Sequence, residues 1–103
     1  MTKIKGIILM RVTVNFFTSL REITGKKEEE IESPRGITVE EALGHLSKKH
    51  GHQFRNYVYD ENGKVRSHLL FMVNGESITT LQGFKTKLRD GDKVVILTPV
   101  GGG

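Results

Sequence analysis

The stretch TVEEALGHLSKKHG, residues 38–51, carries the clearest structural pattern in the chain. Thr38 is followed three residues later by Glu41, which is the spacing of a capping box at the start of a helix. The next apolar residues recur at helical spacing and form one stripe: Val39, Ala42, Leu43 and Leu46. Three cationic residues and then Gly51 indicate where the helix ends. The stretch therefore predicts one amphipathic helix of about three to four turns.

Strand patterns lie on both sides of this helix. Apolar and polar residues alternate over residues 10–16, which predicts a half-buried strand, and the polar segment 26–32 predicts an edge strand. After the helix, residues 69–73 and 93–98 are apolar on both faces, which predicts strands in the interior of a sheet. This order predicts an α+β fold, with one main helix on a mixed sheet of about four to five strands and the first and last strands as parallel neighbours.

Three further segments show weaker patterns. Residues 18–25 predict a loop that ends at Gly25. Residues 52–68 predict a looser connection with a tight turn at Asn62-Gly63. A short helical turn is predicted within residues 81–88, and the Asp-Gly-Asp sequence at 90–92 predicts a turn before the last strand.

Length and composition limit the class of protein. The 103 residues are 36% hydrophobic and 27% charged with a net charge of +4, as in one globular domain. The chain has no cysteine, which excludes disulfide frameworks and thiolate metal sites. No segment has the pattern of a membrane span or a signal peptide, so we expect a cytoplasmic protein. We expect an N-terminal extension over residues 1–9, one domain over 10–98 and a C-terminal tail over 99–103.

Convergent polar groups of the kind that an enzyme needs are scarce in this sequence. His50 and His52 flank a glycine at the predicted helix end, but no cysteine or suitably spaced carboxylate accompanies them as a third metal ligand. Asp90 and Asp92 have the spacing of turn residues rather than of a catalytic pair. We therefore expect no catalytic residues, no bound metal and no bound cofactor.

The C-terminal tail has a different character, because it ends in Gly101, Gly102 and Gly103. Glycine is costly to order and adds no packing, so these residues contribute nothing to the fold. One interpretation is a frayed end or a cloning remnant. The other is that the terminal carboxylate enters a narrow active site of another protein, where any side chain near the reacting carbonyl would clash.

Pieces of sequence from about residue 12 to residue 103 resemble a known family in order and spacing. The matching residues are Phe17, Leu20-Arg21-Glu22, Gly25, Thr38-Val39, Leu43, Leu46, Val73-Asn74-Gly75, Leu88, Asp90-Gly91-Asp92, Val94 to Ile96, Pro99-Val100 and the glycine end. They resemble the ubiquitin-like β-grasp sulfur carriers: the MoaD-type small subunit of molybdopterin synthase, the ThiS-type carrier of the thiamine pathway and the small archaeal modifier proteins. Residues 1–9 have no counterpart in the family, and Gly101 stands where the family usually has serine or alanine.

The resemblance implies a β-grasp fold and a carrier rather than an enzyme. An E1-like enzyme would use ATP to adenylate the carboxylate of Gly103, with Gly102 completing the family's di-glycine. The product would be a thiocarboxylate that delivers sulfur, for example in molybdopterin biosynthesis with the synthase large subunit, or an isopeptide bond to a lysine of a target protein. The resemblance does not separate these two outcomes. It implies no bound cofactor, since the partner enzyme uses the ATP.

A docking surface for that partner is expected on one face of the sheet. The predicted strands are apolar on both faces, yet one helix covers only one of them, so the other face should expose a subset of Phe71, Met72, Val95 and Leu97. The sequence does not show which alternate residues face outward, and loops covering that face remain an alternative. Arg21 and Arg89 are expected to add charges at its rim that steer an acidic partner groove.

A second function class remains open from the residues alone. The basic stretch Lys85, Lys87 and Arg89 is compatible with a β-grasp RNA-binding or regulatory module in which the terminal glycines are incidental. Asp90 and Asp92 interrupt this stretch, and the net charge is modest, so nucleic acid is the alternative rather than the leading hypothesis.

Overall fold

The computed structural model describes the backbone of residues 2–4 and 7–98 and the side chains of residues 9–98. Its strands and α-helices are β1 (Thr2–Ile4), β2 (Ile7–Phe16), α1 (Ser19–Thr24), β3 (Glu28–Ser33), α2 (Val39–His50), α3 (His52–Val58), β4 (Leu70–Val73), β5 (Glu76–Ser77) and β6 (Lys93–Leu97). Two short 3-10 turns, Ile78–Thr80 and Gly83–Lys85, connect β5 to β6. Within the described residues, no helix is long and apolar enough to cross a membrane.

The sheet is mixed, with β2 and β6 in parallel at its centre. Residues Thr13 to Phe16 of β2 pair with Lys93 to Ile96 of β6. The same part of β2 pairs on its other edge with β3, and β6 pairs on its far side with β4, which continues to β5. The strand order β3-β2-β6-β4-β5 is therefore an α+β arrangement, and the predicted parallel pairing of the first and last strands is confirmed.

The core lies between one face of this sheet and the helices. From Met10 to Phe16 every second residue of β2 is buried, as the alternation predicted, with Val12, Val14 and Phe16 at most 1% exposed. The apolar stripe of α2 covers this face, and all four of its predicted members are buried. Burial of a branched or aromatic side chain contributes about 1.5–3 kcal/mol, so these positions account for much of the stability.

Helix α2 begins with the predicted capping box. The Thr38 hydroxyl oxygen accepts a hydrogen bond from the Glu41 N–H at 3.1 Å, and Glu41 Oε1 accepts one from the Thr38 N–H at 3.0 Å. Arg35 adds an ion pair to the other carboxylate oxygen of Glu41 at 3.2 Å. The capping box therefore satisfies two N–H groups at the start of α2, and the Val39 N–H donates to the distant Thr86 carbonyl oxygen at 3.0 Å.

Two segments expected as loops are helical, so those predictions were wrong. Residues 19–24 form α1, and residues 52–58 form α3, where Phe54 and Val58 are fully buried. Both helices are shorter than two turns, which is too short for a helical period to be visible in the sequence. Their stability comes from packing, since the Phe54 ring contacts the Phe16 ring edge to face, with centroids 6.4 Å apart.

The N-terminal segment pairs with the main domain's first strand. Residues of β1 form an antiparallel ladder with the start of β2, from Thr2 opposite Leu9 to Ile4 opposite Ile7. Strand β2 therefore starts at Ile7, three residues before the predicted start at residue 10. The first three residues of β2 pair with β1, and both segments lie in the region that the sequence analysis expected to be an N-terminal extension.

Candidate functional site

The two residues expected to carry the chemistry, Gly102 and Gly103, lie in residues 99–103, outside the described residues. The structure does place the base of the tail, which is Thr98 at the end of β6. Because β6 is parallel to β2 and Ile96 pairs with Phe16, Thr98 lies beside the segment that leaves β2. The tail thus starts from the centre of the sheet rather than from an edge.

The Thr18 side chain contacts this base, and two further side chains interact at the adjoining end of β2. The hydroxyl oxygens of Thr18 and Thr98 lie 3.0 Å apart, at hydrogen-bond distance. Arg21 Nε donates to the Phe16 carbonyl oxygen at 2.9 Å, and its guanidinium lies 5.1 Å from the centroid of the Phe17 ring. Such a cation–π contact at an exposed position is worth about 0.5–1 kcal/mol. Arg21 therefore lies at the end of β2, and its role as a charge at the rim of the partner surface stays a prediction.

An apolar patch lies on the sheet face opposite the helices. Leu70 faces Leu97 across the β4–β6 ladder and Met72 faces Val95, so the four side chains share one face. Leu70 is 56% exposed, and the other three are partly exposed. We call Leu70, Met72, Val95 and Leu97 the open-face patch. Helices α1, α2 and α3 bury their apolar residues in the core on the other face, so this patch is available to a partner.

Phe71 does not belong to this patch, and its assignment to the partner surface was wrong. It is 3% exposed and contacts the Phe84 ring edge to face, with centroids 5.2 Å apart. Side chains alternate along a strand, so the exposure of Met72 requires Phe71 to point into the core. Leu70 takes its place on the surface. An unbroken apolar run hides which alternate residues face outward, so the sequence carried no signal for Leu70.

Arg89 lies far from the tail. It precedes β6, and its backbone N–H donates to Asp92 Oδ2 at 2.8 Å in the turn that leads into that strand. In the same turn, Asp90 Oδ1 accepts from the Arg11 N–H at 2.9 Å, a bond that lowers the pKa of Asp90. These aspartates hold a turn, as predicted, and Arg21 and Arg89 mark opposite ends of β6.

The basic stretch of the alternative hypothesis is divided between different contacts. Lys85 Nζ forms an ion pair with Glu40 Oε1 at 2.9 Å. Lys87 and Arg89 line an open groove beside the start of α2, together with Arg35, which is itself paired with Glu41. Within this stretch, Lys85 is therefore paired with an acidic residue of α2, whereas Lys87 and Arg89 share one groove.

His50, at the end of α2, and His52, at the start of α3, have different partners. His50 Nε2 lies 2.7 Å from Glu29 Oε1, and His52 Nδ1 lies 3.2 Å from Arg55 Nη2. Among the described residues, no group of three or more possible ligands is placed to hold a metal ion. Glu29 was missed by sequence reasoning because a run of three glutamates predicts a solvated surface.

Comparisons with known proteins identify several that are similar to this chain. The model of the ThiS family matches residues 14–103. The chain is 31% identical over 94 residues to small archaeal modifier protein 3 of Haloferax volcanii, covering 91% of this chain and 100% of that protein. The solution structure of small archaeal modifier protein 1 from Methanosarcina acetivorans is 30% identical, with a TM-score of 0.74 over 93% of this chain and 99% of that one. A putative molybdopterin converting factor subunit 1 from Pyrococcus furiosus is 32% identical, with a TM-score of 0.69 over 88% and 99%.

These matches confirm the resemblance drawn from the residues and the β-grasp fold. The family match runs from Val14, near the end of β2, through the terminal glycines, so it includes β3 to β6 and the tail. Members of the family work with E1-like enzymes and with acceptor or target proteins. The chain belongs to the ThiS family, and it is a ubiquitin-like sulfur carrier or protein modifier rather than an enzyme.

Proposed function

We propose that the carboxylate of Gly103 is the group on which this protein works, and that an E1-like enzyme adenylates it in the cytoplasm. A carboxylate oxygen attacks the α-phosphorus of ATP, pyrophosphate leaves, and the terminus becomes an acyl adenylate. The partner holds the ATP, so the carrier needs no nucleotide site of its own. The observation that carries this proposal is the di-glycine five residues after the central strand of a ThiS-family β-grasp sheet.

The activated terminus has two possible nucleophiles. Hydrosulfide supplied by a sulfur donor attacks the carbonyl carbon, expels AMP and leaves a thiocarboxylate, which then passes sulfur to an acceptor such as a precursor of the molybdenum cofactor. The ε-amine of a target lysine expels AMP in the same way and leaves an isopeptide bond. Both routes break the same acyl–phosphate bond. The acceptor presented to the activated end therefore decides between sulfur transfer, with a large subunit like that of molybdopterin synthase, and conjugation to a protein.

Glycine at the last positions suits this chemistry. A nucleophile must approach the carbonyl carbon of residue 103 within a channel that also holds the nucleotide, and glycine has no Cβ to obstruct it. The backbone of residues 101–103 can also adopt conformations that other residues reach only with strain. The cost of this choice is the entropy lost when the tail becomes ordered in the partner.

The open-face patch is proposed as the surface that the activating enzyme binds. Val95 and Leu97 lie on β6, the strand that continues directly into the tail, so binding at the patch brings the tail to the same partner. Arg21, beside the base of the tail, gives this surface a positive rim that favours an acidic groove. The burial of exposed Leu70 and Met72 supplies apolar contact at the centre of such an interface.

Mass spectrometry of the C-terminus tests the proposal. Incubation with an E1-like enzyme, ATP and a sulfur source should increase the mass by one sulfur minus one oxygen. Deletion of Gly102 and Gly103 should abolish that change and leave the circular dichroism spectrum unaltered, because glycine has no side chain to add to a core. A tag added after Gly103 should have the same effect as the deletion. A sulfur adduct that persists after deletion would contradict the proposal.

The same measurement on protein from its native source separates the two routes. A thiocarboxylate at Gly103 indicates sulfur carriage, whereas a glycine remnant on a lysine of another protein indicates conjugation. RNA binding at low salt that is lost when Lys87 and Arg89 are neutralised would instead support the alternative module.

A further inference from the structure

Thr18 adopts a backbone conformation that a threonine seldom takes. Its φ of 46° and ψ of −118° lie outside the allowed regions for a β-branched residue, whose Cβ substituents crowd the backbone at positive φ. Among the described residues, Asn74 is the other non-glycine with a positive φ, and asparagine tolerates the left-handed region well. Strain of this kind persists where the surrounding structure imposes it, and it gathers at functional sites.

The side chain of Thr18 is also used in an unusual way. Thr18 precedes α1 at the N-cap position, where a threonine hydroxyl commonly accepts a hydrogen bond from an N–H of the first turn. Here no such side-chain bond forms, although the Thr18 carbonyl oxygen accepts from the Arg21 N–H at 3.0 Å. The hydroxyl instead lies 3.0 Å from that of Thr98, eighty positions further along the chain. The strained backbone thus directs the hydroxyl away from the helix and toward the base of the tail.

Neighbouring contacts hold Thr18 in this place. Phe16 is fully buried, and its carbonyl oxygen accepts a hydrogen bond from Arg21 Nε at 2.9 Å. The Arg21 guanidinium lies against the Phe17 ring, so the residues on both sides of Thr18 are attached to the domain. The segment between β2 and α1 therefore has little freedom to relax, which is the condition under which a strained residue persists.

We propose that Thr18 is a positioning residue for the C-terminal tail: its hydroxyl fixes Thr98, so that residues 99–103 leave the sheet from a set point. This inference rests on the proposed function. Five extended residues reach at most about 17 Å, so the position of the base limits where the Gly103 carboxylate can arrive. Fixing the base before binding also reduces the conformational freedom that the tail must lose in the partner's channel.

Four variants separate the hydroxyl contact from the backbone strain. Thr18→Val keeps the shape and removes the hydroxyl, whereas Thr18→Ser keeps the hydroxyl. Thr18→Gly removes the hydroxyl and also relieves the strain. Thr98→Val removes the other half of the contact and leaves residue 18 unchanged.

Two measurements are made on the full-length protein. Pyrophosphate exchange with an E1-like enzyme gives KM and kcat for the carrier, and the ¹⁵N heteronuclear NOE of the Thr98 amide reports its order in the free protein. We expect Thr18→Val, Thr18→Gly and Thr98→Val to lower the NOE and to raise KM about fivefold, the value of one lost hydrogen bond, with kcat unchanged. Thr18→Ser should resemble the wild-type protein in both measurements.

A comparison of melting temperature with KM distinguishes positioning of Thr98 from a general loss of stability. Thr18→Gly should melt at a higher temperature than Thr18→Val, because both lack the hydroxyl and only glycine relieves the strain. Their KM values should nevertheless agree. A KM that follows stability across the variants, or a wild-type KM in Thr18→Val, would overturn the proposal. If wild-type protein is not adenylated at all, the proposed function fails, and an unchanged Thr98 NOE in Thr18→Val would overturn the positioning contact separately.

Discussion

His50 Nε2 lies 2.7 Å from Glu29 Oε1, and both side chains are at most 10% exposed. Glu29 belongs to the edge strand β3, and His50 ends helix α2, so the contact joins the two layers of the domain. Lys49 Nζ lies 2.7 Å from the other carboxylate oxygen, and Lys26 Nζ lies 3.6 Å from Oε1. The Phe16 and Phe54 rings pack beside the His50 ring and exclude water from it. A buried carboxylate surrounded by cationic groups makes stability depend on pH.

The first prediction concerns this pH dependence. Burial alone would raise the pKa of Glu29, but hydrogen bonds to Lys49 and His50 outweigh it, so the pKa lies below its ordinary value of 4.5. A carboxyl whose pKa is lower in the folded state stabilises the fold when it is ionised. That stabilisation is complete above the ordinary value and is lost as the pH falls through the lower folded value. Urea unfolding between pH 7 and pH 3 should show this decline.

Glu29→Gln isolates this residue from other carboxyls with a lowered pKa, such as Glu41 and Asp60. At pH 7 we expect the variant to be less stable by about 1–3 kcal/mol, since a buried polar group loses a charged partner. The difference between wild type and variant should shrink as the solution becomes more acidic. A constant difference across this pH range would contradict the assignment.

The second prediction concerns the capping box of α2. Thr38→Ala removes the acceptor for the Glu41 N–H and should lower the free energy of unfolding by about 1 kcal/mol. Thr38→Ser keeps the acceptor and should change it much less. Urea unfolding at pH 7 measures both variants. Equal stability of the alanine and serine variants would show that the hydrogen bond does not stabilise the helix.

The third prediction concerns the short helix α3. Phe54 is fully buried against Phe16, so Phe54→Ala should cost about 3–5 kcal/mol through lost burial and a residual cavity. Gln53→Ala, at the exposed neighbouring position of the same helix, should stay within about 0.5 kcal/mol of wild type. Chemical unfolding compares the two. A small effect at Phe54 would mean that α3 is peripheral to the core.

The fourth prediction concerns the open-face patch. Leu70→Ser should raise KM for adenylation about fivefold to tenfold, because it removes an apolar contact from the proposed interface. Stability should change little, since Leu70 is 56% exposed. Leu81→Ser is a matched control, because Leu81 is also an exposed leucine, at 37%, but lies outside the patch. Equal effects of the two substitutions would place the binding surface elsewhere.

The parts of the fold that a local pattern specifies were predictable. The capping box and apolar stripe defined α2, and the alternation of Val12, Val14 and Phe16 identified the buried face of β2. Each of these signals lies within a few residues of the structure that it specifies. The role of the di-glycine stays a prediction, since residues 99–103 lie outside the described part of the chain.

The parts that depend on distant contacts were not predictable. Phe71 and Met72 are both apolar, and only the position of the helices decides which of them is buried. In the sequence Glu29 is indistinguishable from its exposed neighbours, and only its contacts with His50 and Lys49 of α2 set it apart. The placement of Thr18 against Thr98 follows from the parallel pairing of two strands at opposite ends of the chain.

The central place of β6 has a mechanical consequence. A force applied through the tail would act along β6. That strand is hydrogen-bonded to β2 on one side and to β4 on the other, so both ladders are loaded in shear. Their bonds must break together rather than one after another, as they would if an edge strand were peeled away. The proposed attachment point therefore follows the strand best placed to resist extraction.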